Sequence, residues 1–321
     1  MTSAGISLDE LNSLKQKTAR LSILSNAGLV LLKFVVGFAV GSVSIISEAI
    51  HSSMDLLAAV IAFFSVRKSA EPPDAVHAFG HGKFEDFSGL IEAILIFVAA
   101  ALIIWEAAQK LLGEGGPELS EDLLIIGIAV MAISAVVNFF VSRRLMTVAK
   151  QSESIALESD AWHLRTDVYT SVGVMVGLIL IRITGITGLD SIFAIGVAVV
   201  IIKAAYDLTL KSVADLIDQS LPEKQENRIK EIVCDHASEY AGFHDLKTRR
   251  SGPEIFIDLH LVMPGGISVE QSHDLADHLE SDLKVEYPRS TVTIHVEPCR
   301  EGGEGCNRCG SFCTYYQKKR D

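Results

Sequence analysis

His51-Ser52-Ser53-Met54-Asp55 and His163-Leu164-Arg165-Thr166-Asp167 are the two stretches that decide how this chain is read. Each sits inside a long apolar run. Residues i and i+4 of a helix stack on one face about 6 Å apart, so each stretch presents an imidazole and a carboxylate to the same side. Ionisable side chains at membrane depth are costly and are kept for an ion pathway or a bound ion. Buried polar pairs that merely hold helices together would explain one such stretch, but explain two matching ones poorly. Together they supply two nitrogens and two oxygens, the number and kind of donor that a tetrahedral Zn²⁺ takes.

The surrounding composition supports membrane depth. Of the 321 residues 49% are hydrophobic, and the mean hydropathy is +0.34. That apolarity is concentrated between Leu21 and Leu210, whereas the chain beyond Pro222 is polar and reads as globular. A helix needs about 20 residues to span the hydrocarbon core, which predicts six spans at about 21–41, 44–66, 87–111, 121–142, 157–182 and 190–210. The second and fifth carry the two tetrads. Residues 1–20 are polar and lack the apolar core of a cleavable signal.

Lys15, Lys17, Arg20, Arg67, Lys68, Lys83, Arg143, Arg144, Lys150 and Lys211 fall on one side of such a bundle, and only Lys110 and Arg182 on the other. Basic loops face the cytoplasm, so both termini are expected there. The net charge of −12 argues against a nucleic-acid partner and describes a solvated acidic tail domain.

After Pro222 the periodicity predicts an amphipathic helix over 223–240, strands near 243–249 and 254–262, a helix over 268–286, and a strand from Thr291 to Val296. Ser251-Gly252-Pro253 is the turn between the first two strands. The order αββαβ makes a small α+β layer with helices on one face of a sheet. A block this small gains from pairing with a copy of itself.

The remaining histidines cluster. Asp74, His77 and His81 are spaced i, i+3, i+7, which on a short helix would place three ligands on one face and hold Zn²⁺ weakly; a solvated loop capping the third span is the alternative. In the tail, His260 shares a strand face with Asp258, and His295 with Glu297, because the side-chain period is two. Surface histidines on an acidic domain would give the same pattern. All five cysteines, including Cys234, lie beyond residue 222, where a reducing cytoplasm favours metal binding over disulfides. Cys299, Cys306, Cys309 and Cys313 offer four thiolates after the flexible 301–305 linker, either for a metal or as a reduced, disordered tail. Lys33 is expected to snorkel toward the interface, and Asn138 to hydrogen-bond between helices. Glu92 either lines the cavity or packs. Glu48 and Asp160, one turn before the tetrad histidines, either orient the imidazoles or face water at the mouth.

The order Ser47-Glu48-Ala49-Ile50-His51 with Asp55, then Phe79-Gly80-His81-Gly82-Lys83, then Ser159-Asp160-Ala161-Trp162-His163 with Asp167, resembles the cation diffusion facilitator family, in particular its bacterial zinc and ferrous-iron efflux members. The likeness runs from about residue 15 to 298. It implies a six-helix all-α membrane bundle carrying a cytoplasmic metallochaperone-like, ferredoxin-like α+β domain, working as a homodimer. It implies export of Zn²⁺, and in some members Cd²⁺, Co²⁺, Fe²⁺ or Mn²⁺, commonly in exchange for protons. By position the resemblance assigns His51, Asp55, His163 and Asp167 to the transport site. It assigns Asp74, His77 and His81 to a loop site, and His244, His260, His273, His295 and Glu297 to a cytoplasmic site at the dimer interface. Lys83 and Asp218 match a hinge salt bridge. Such members often have Asp where this chain has His51 and Glu297, and the cysteine cluster lies outside the shared region.

The expected organisation is a cytoplasmic N-terminal segment (1–20), a six-span transport domain (21–211), a cytoplasmic metal-binding and dimerisation domain (212–298) and a Cys-rich tail (299–321). The expected function is divalent-metal efflux from the cytoplasm across the plasma (inner) membrane. Zn²⁺/H⁺ antiport by alternating access is the favoured form, with Zn²⁺ both cargo and structural ion. A membrane metalloenzyme would need an open coordination position or a His-Glu-x-x-His motif, and neither is evident; a passive channel is a third reading, which detection of uphill transport would exclude.

Overall fold

The structure, a computed structural model, describes residues 7–40, 43–112, 121–184 and 189–299. Among them are eight helices and three strands, divided into two compact units, Met1–Ala214 and Asp215–Asp321.

The first unit holds the six long helices α1 (Leu8–Val40), α2 (Val43–Ser69), α3 (Lys83–Leu111), α4 (Glu121–Ser152), α5 (Ile155–Thr184) and α6 (Leu189–Leu216). Several run past the expected spans at their polar ends, because an intrahelical hydrogen-bond ladder does not stop where the lipid does. α1 therefore begins at Leu8, inside the polar N-terminal segment. Ser7 and Glu10 cap it reciprocally: the Ser7 N–H donates to Glu10 Oε2 at 2.9 Å and the Glu10 N–H to Ser7 Oγ at 3.2 Å. By length and composition, Asp9–Ala39, Lys83–Gln109 and Ala129–Ser152 suffice to cross a membrane among the described residues. Ala19, Val66, Leu145, Ala149, Ala161 and Leu164 join α1, α2, α4 and α5, while Ala93, Ile96, Ala100, Ile201 and Ala205 join α3 to α6. Alanine at so many crossings lets the backbones approach closely. Leu24, Leu31, Phe38, Phe64, Trp105 and Phe140 point outward, as lipid-facing side chains do.

One charged knot ties the bundle. Lys15 of α1 and Glu85 of α3, 1% and 0% exposed, form an ion pair. The Glu85 carboxylate also accepts from the hydroxyls of Ser69, at the end of α2, and Ser154, between α4 and α5. A buried carboxylate with this many donors is satisfied.

The second unit contains α7 (Glu223–Asp235), β1 (Gly242–Ser251), β2 (Glu254–Met263), α8 (Val269–Glu286) and β3 (Ser290–Pro298). The sheet order is β1-β2-β3, with β1–β2 antiparallel and β2–β3 parallel through the α8 crossover. Ile255, Ile257, Leu259 and Leu261 of β2 meet Ile229 and Val233 of α7 and Leu275, Leu279 and Leu283 of α8 in one core. α7 ends five residues before the expected 240, because the chain turns back and the Tyr240 hydroxyl donates to the Val233 carbonyl at 2.9 Å. Ser268 and Gln271 form a capping box that starts α8 where the sequence placed it.

Candidate metal sites

In the membrane unit α2 and α5 bring one tetrad residue of each kind together. His163 Nε2 lies 3.0 Å from Asp55 Oδ1, both side chains buried. Two ligands of a tetrahedral Zn²⁺ with bonds of ~2.0 Å stand ~3.3 Å apart, so this pair needs to part by only a few tenths of an ångström to admit the ion. His163 Nδ1 is buried without a hydrogen-bond partner. Asp167 is held by Asn138 of α4, whose Nδ2 donates to Oδ2 at 3.2 Å. The expected interhelical bond of Asn138 thus lands on a residue of the tetrad. The side chains of His51 and Glu48 lie outside the described residues.

One expectation about neighbouring charges changes, and two that the sequence left open are narrowed. Lys33 does not snorkel: it is 5% exposed, and its Nζ donates to Ser52 Oγ at 2.6 Å. α1 lies against α2 here, so the ammonium meets a neighbouring helix rather than the interface. Asp160 does not face water, being fully buried near His163, Asp55 and Glu92. Glu92 is also fully buried, with Ser88 Oγ 3.5 Å from Oε1.

The loop between α2 and α3 is not the expected short helix but a series of bends and turns. Pro72 and Pro73 supply no N–H for a helical ladder, and Gly80 has φ +82°, a left-handed conformation that suits glycine. Asp74 organises it. Its Oδ1 accepts from the backbone N–H of Val76 and His77 at 2.8 and 2.6 Å. The His77 N–H first, then that of Val76, hold the Asp74 carboxyl down at about 2, so it stays anionic. The turn gathers what the helix was expected to gather. His77 Nδ1 is 3.3 Å from Asp74 Oδ1, His81 Nε2 is 3.2 Å from Oδ2, and one ligand atom from each residue falls within 4.8 Å of the others. His81 Nε2 is buried and makes no hydrogen bond despite that proximity, which leaves it suited to a metal.

In the second unit, register does the gathering. His244 pairs with His260 across the antiparallel ladder and His260 with His295 across the parallel one, so three imidazoles form a row with ring centroids 5.1 and 4.7 Å apart. Glu297, two residues after His295, contacts His244 Nε2 and lies 4.0 Å from His260 Nδ1. Asp258 is exposed on the His260 side of β2. His273 stands apart on α8, exposed and 3.5 Å from Asp277. A residue that sequence reasoning missed joins instead. Asp245, at φ +50° in a β-bulge, brings a carboxylate within 4.8 Å of ligand atoms of His244 and His260. A bulge breaks the period of two, so strand alternation gave no sign of it.

Asp218 is bound by Arg249, Nη1 to Oδ1 at 3.3 Å. Lys83 opens α3 in the other unit. The Cys299 N–H continues the β2–β3 ladder by donating to the Met263 carbonyl at 2.7 Å. Cys306, Cys309 and Cys313 lie outside the described residues.

The two units correspond to two family models: the cation efflux transmembrane domain over residues 19–217 and the cation efflux protein cytoplasmic domain over 221–299. An uncharacterized transporter of Synechocystis is 37% identical, covering 81% of this chain and 83% of its own. The cation-efflux pump FieF of Pectobacterium atrosepticum is 32% identical, covering 84% and 88%. A solved structure of CzrB in its zinc form is 41% identical over 25% of this chain and 92% of that chain, with a TM-score of 0.25. A histidine and carboxylates buried between apolar helices, together with a small sheet that carries more of both, suit an integral membrane protein that moves divalent cations, and the chain is a divalent-cation efflux transporter of the cation diffusion facilitator family.

Proposed function

We propose that this transporter exports Zn²⁺ from the cytoplasm in exchange for protons. It does so by alternating access, as a homodimer in the plasma membrane with both termini cytoplasmic. The observation that carries the reading is the buried His163–Asp55 contact between α2 and α5. It joins an imidazole nitrogen to a carboxylate oxygen at nearly the spacing a tetrahedral ion needs. With His51 and Asp167 the set is two nitrogens and two oxygens, better suited to Zn²⁺ than to octahedral Mg²⁺ or Mn²⁺. Cd²⁺, Co²⁺ and Fe²⁺ are lesser substrates of the same site.

The contact also accounts for coupling. A histidine must be neutral to bind metal, and once the ion has gone it can accept a proton and hydrogen-bond the facing carboxylate. Loading therefore releases protons and unloading takes them up. Rocking of the helices exposes the site to one side and then the other while the ligands stay near the midplane.

The loop triad Asp74, His77 and His81 and the sheet row His244, His260, His295 and Glu297 serve as accessory Zn²⁺ sites. Dimerisation is supported by the match to a cation efflux dimer domain. The tail thiols Cys299, Cys306, Cys309 and Cys313 hold one further metal that turnover does not need. Truncation at Arg300 should lower the bound metal by one while transport persists.

The test is zinc flux in proteoliposomes. A pH step imposed at equal zinc on both sides, with the potential clamped, should drive Zn²⁺ against the proton flow. No net zinc movement would remove the coupling and leave a facilitator.

A further inference from the structure

The second buried lysine of α1, Lys33, bears on the proposed transport site, and the inference rests on that reading. Lys33 Nζ donates to Ser52 Oγ at 2.6 Å, and both side chains are buried. Ser52 follows His51 by one residue and precedes Asp55 by three. Ser52 and Asp55 therefore lie about one turn apart on neighbouring parts of one face of α2. Asp55 is itself buried and reaches across to His163. A lysine amine is thus tethered to α2 about one helical turn from a carboxylate proposed to bind a cation. A buried ammonium is stable only where negative charge is within reach. Snorkelling, the ordinary course for such a lysine, is not what it does.

We propose that Lys33 is the resident counter-charge of the transport site and sets how readily the divalent cation leaves. With neutral imidazoles, the empty ligand set carries the two negative charges of Asp55 and Asp167. The ammonium offsets one of them and so lowers the cost of an emptied site buried between helices. When Zn²⁺ arrives it neutralises the two carboxylates, and the ammonium then repels it. Lys33 weakens binding in the loaded state and stabilises the unloaded one, and both effects favour release. The Ser52 hydroxyl accepts from the ammonium and so holds it beside the site. A cation exporter needs such a restraint, because two carboxylates and two imidazoles left alone would hold zinc too tightly to turn over.

The experiment is zinc uptake by the full-length protein in proteoliposomes, read as KM and kcat separately. Lys33→Gln should lower KM by about tenfold or more, since charges this close inside a protein interact strongly. It should also lower kcat, because release becomes slow. Lys33→Arg, which keeps the charge, should restore both. A merely structural lysine would lower kcat with KM unchanged or raised, and that result would overturn the proposal. Should Lys33→Gln fail to insert, Lys33→Met carries the same expectation. Asp55→Asn separates the two readings. If it leaves uptake intact, the transport-site assignment itself fails. If it abolishes uptake while Lys33→Gln leaves KM in place, only the counter-charge fails.

Discussion

The membrane helices and the cytoplasmic sheet both gather histidines and carboxylates, but by different rules. Between α2 and α5 a four-residue helical period stacks the tetrad side chains on one face, and packing of two helices brings His163 and Asp55 together. In the sheet the ladder register alone aligns His244, His260 and His295, and a bulge adds Asp245. The first cluster is buried and the second half exposed. Burial makes unpaired charge expensive, so the membrane cluster is maintained only where an ion or proton compensates it. The half-exposed row can lose or gain an ion at little cost.

The largest expected effect breaks the membrane cluster. Asp55→Ala or Asp167→Ala should reduce zinc flux by at least about 100-fold, more than the loss of a merely orienting neighbour, while insertion and dimerisation persist. Uptake by Asp167→Ala near the wild-type rate would end the contrast drawn above, since a carboxylate of the membrane cluster would then be dispensable. His51→Asp should shift relative rates toward Fe²⁺, Cd²⁺ or Mn²⁺ by replacing a nitrogen with a harder oxygen.

Next in size is the charged knot. Glu85→Ala leaves the Lys15 ammonium buried without its carboxylate, at a cost of about 3–5 kcal/mol. Lys15→Met with Glu85→Gln removes both charges and should cost much less. Denaturant unfolding of the purified protein reads the difference, and equal losses in the two variants would make Lys15–Glu85 a surface-like pair of little weight.

The third prediction concerns the sheet row. His260 belongs to both ligand sets of the second unit, so His260→Ala should weaken metal binding there by about 10- to 100-fold and leave transport near wild type. Loss of transport on the same scale as Asp167→Ala would erase the distinction between the two clusters. Asp245→Asn should weaken binding less, as it leaves His295 and Glu297 in place.

What could be read from the sequence follows the same division. Residues at i and i+4 share a helix face because the helical period is fixed and the spans are long, so His163 and Asp55 stood out as candidates, although their contact across two helices is a fact of packing. The αββαβ order was likewise legible from alternation and from Ser251-Gly252-Pro253. Lys33 was misread because hydropathy cannot tell an ammonium that reaches the interface from one that meets Ser52 on the next helix. The loop was misread because i, i+3, i+7 spacing suits a helix, whereas Pro72 and Pro73 forbid one and an aspartate turn gathers the same side chains. Asp245 was invisible because a bulge, a property of the paired strands, breaks the alternation that finds strand ligands.

The smallest effect comes from a histidine that belongs to neither cluster. His236 bridges the end of α7 to α8, with Nδ1 3.0 Å from Glu239 Oε1 and Nε2 2.9 Å from Asp282 Oδ2. Partial burial acts against its charged form, but the hydrogen bonds that the ring donates to Asp282 and Glu239 and the charge of both carboxylates outweigh it, so its pKa is raised. A raised folded-state pKa means the clasp contributes fully below the unfolded value of about 6.5 and is lost as pH rises through the folded value. Both carboxylates are more than half exposed, so the contribution is that of a surface pair, under about 1 kcal/mol. His236→Gln should therefore lower the melting temperature of the cytoplasmic unit slightly below pH 6, with the gap to wild type closing at alkaline pH. Because each ring nitrogen already has a carboxylate partner on an opposite side, added Zn²⁺ or a chelator should leave that gap unchanged. A gap that widens with pH would reverse the sign of the clasp, and one that responds to zinc would make His236 a member of a metal site after all.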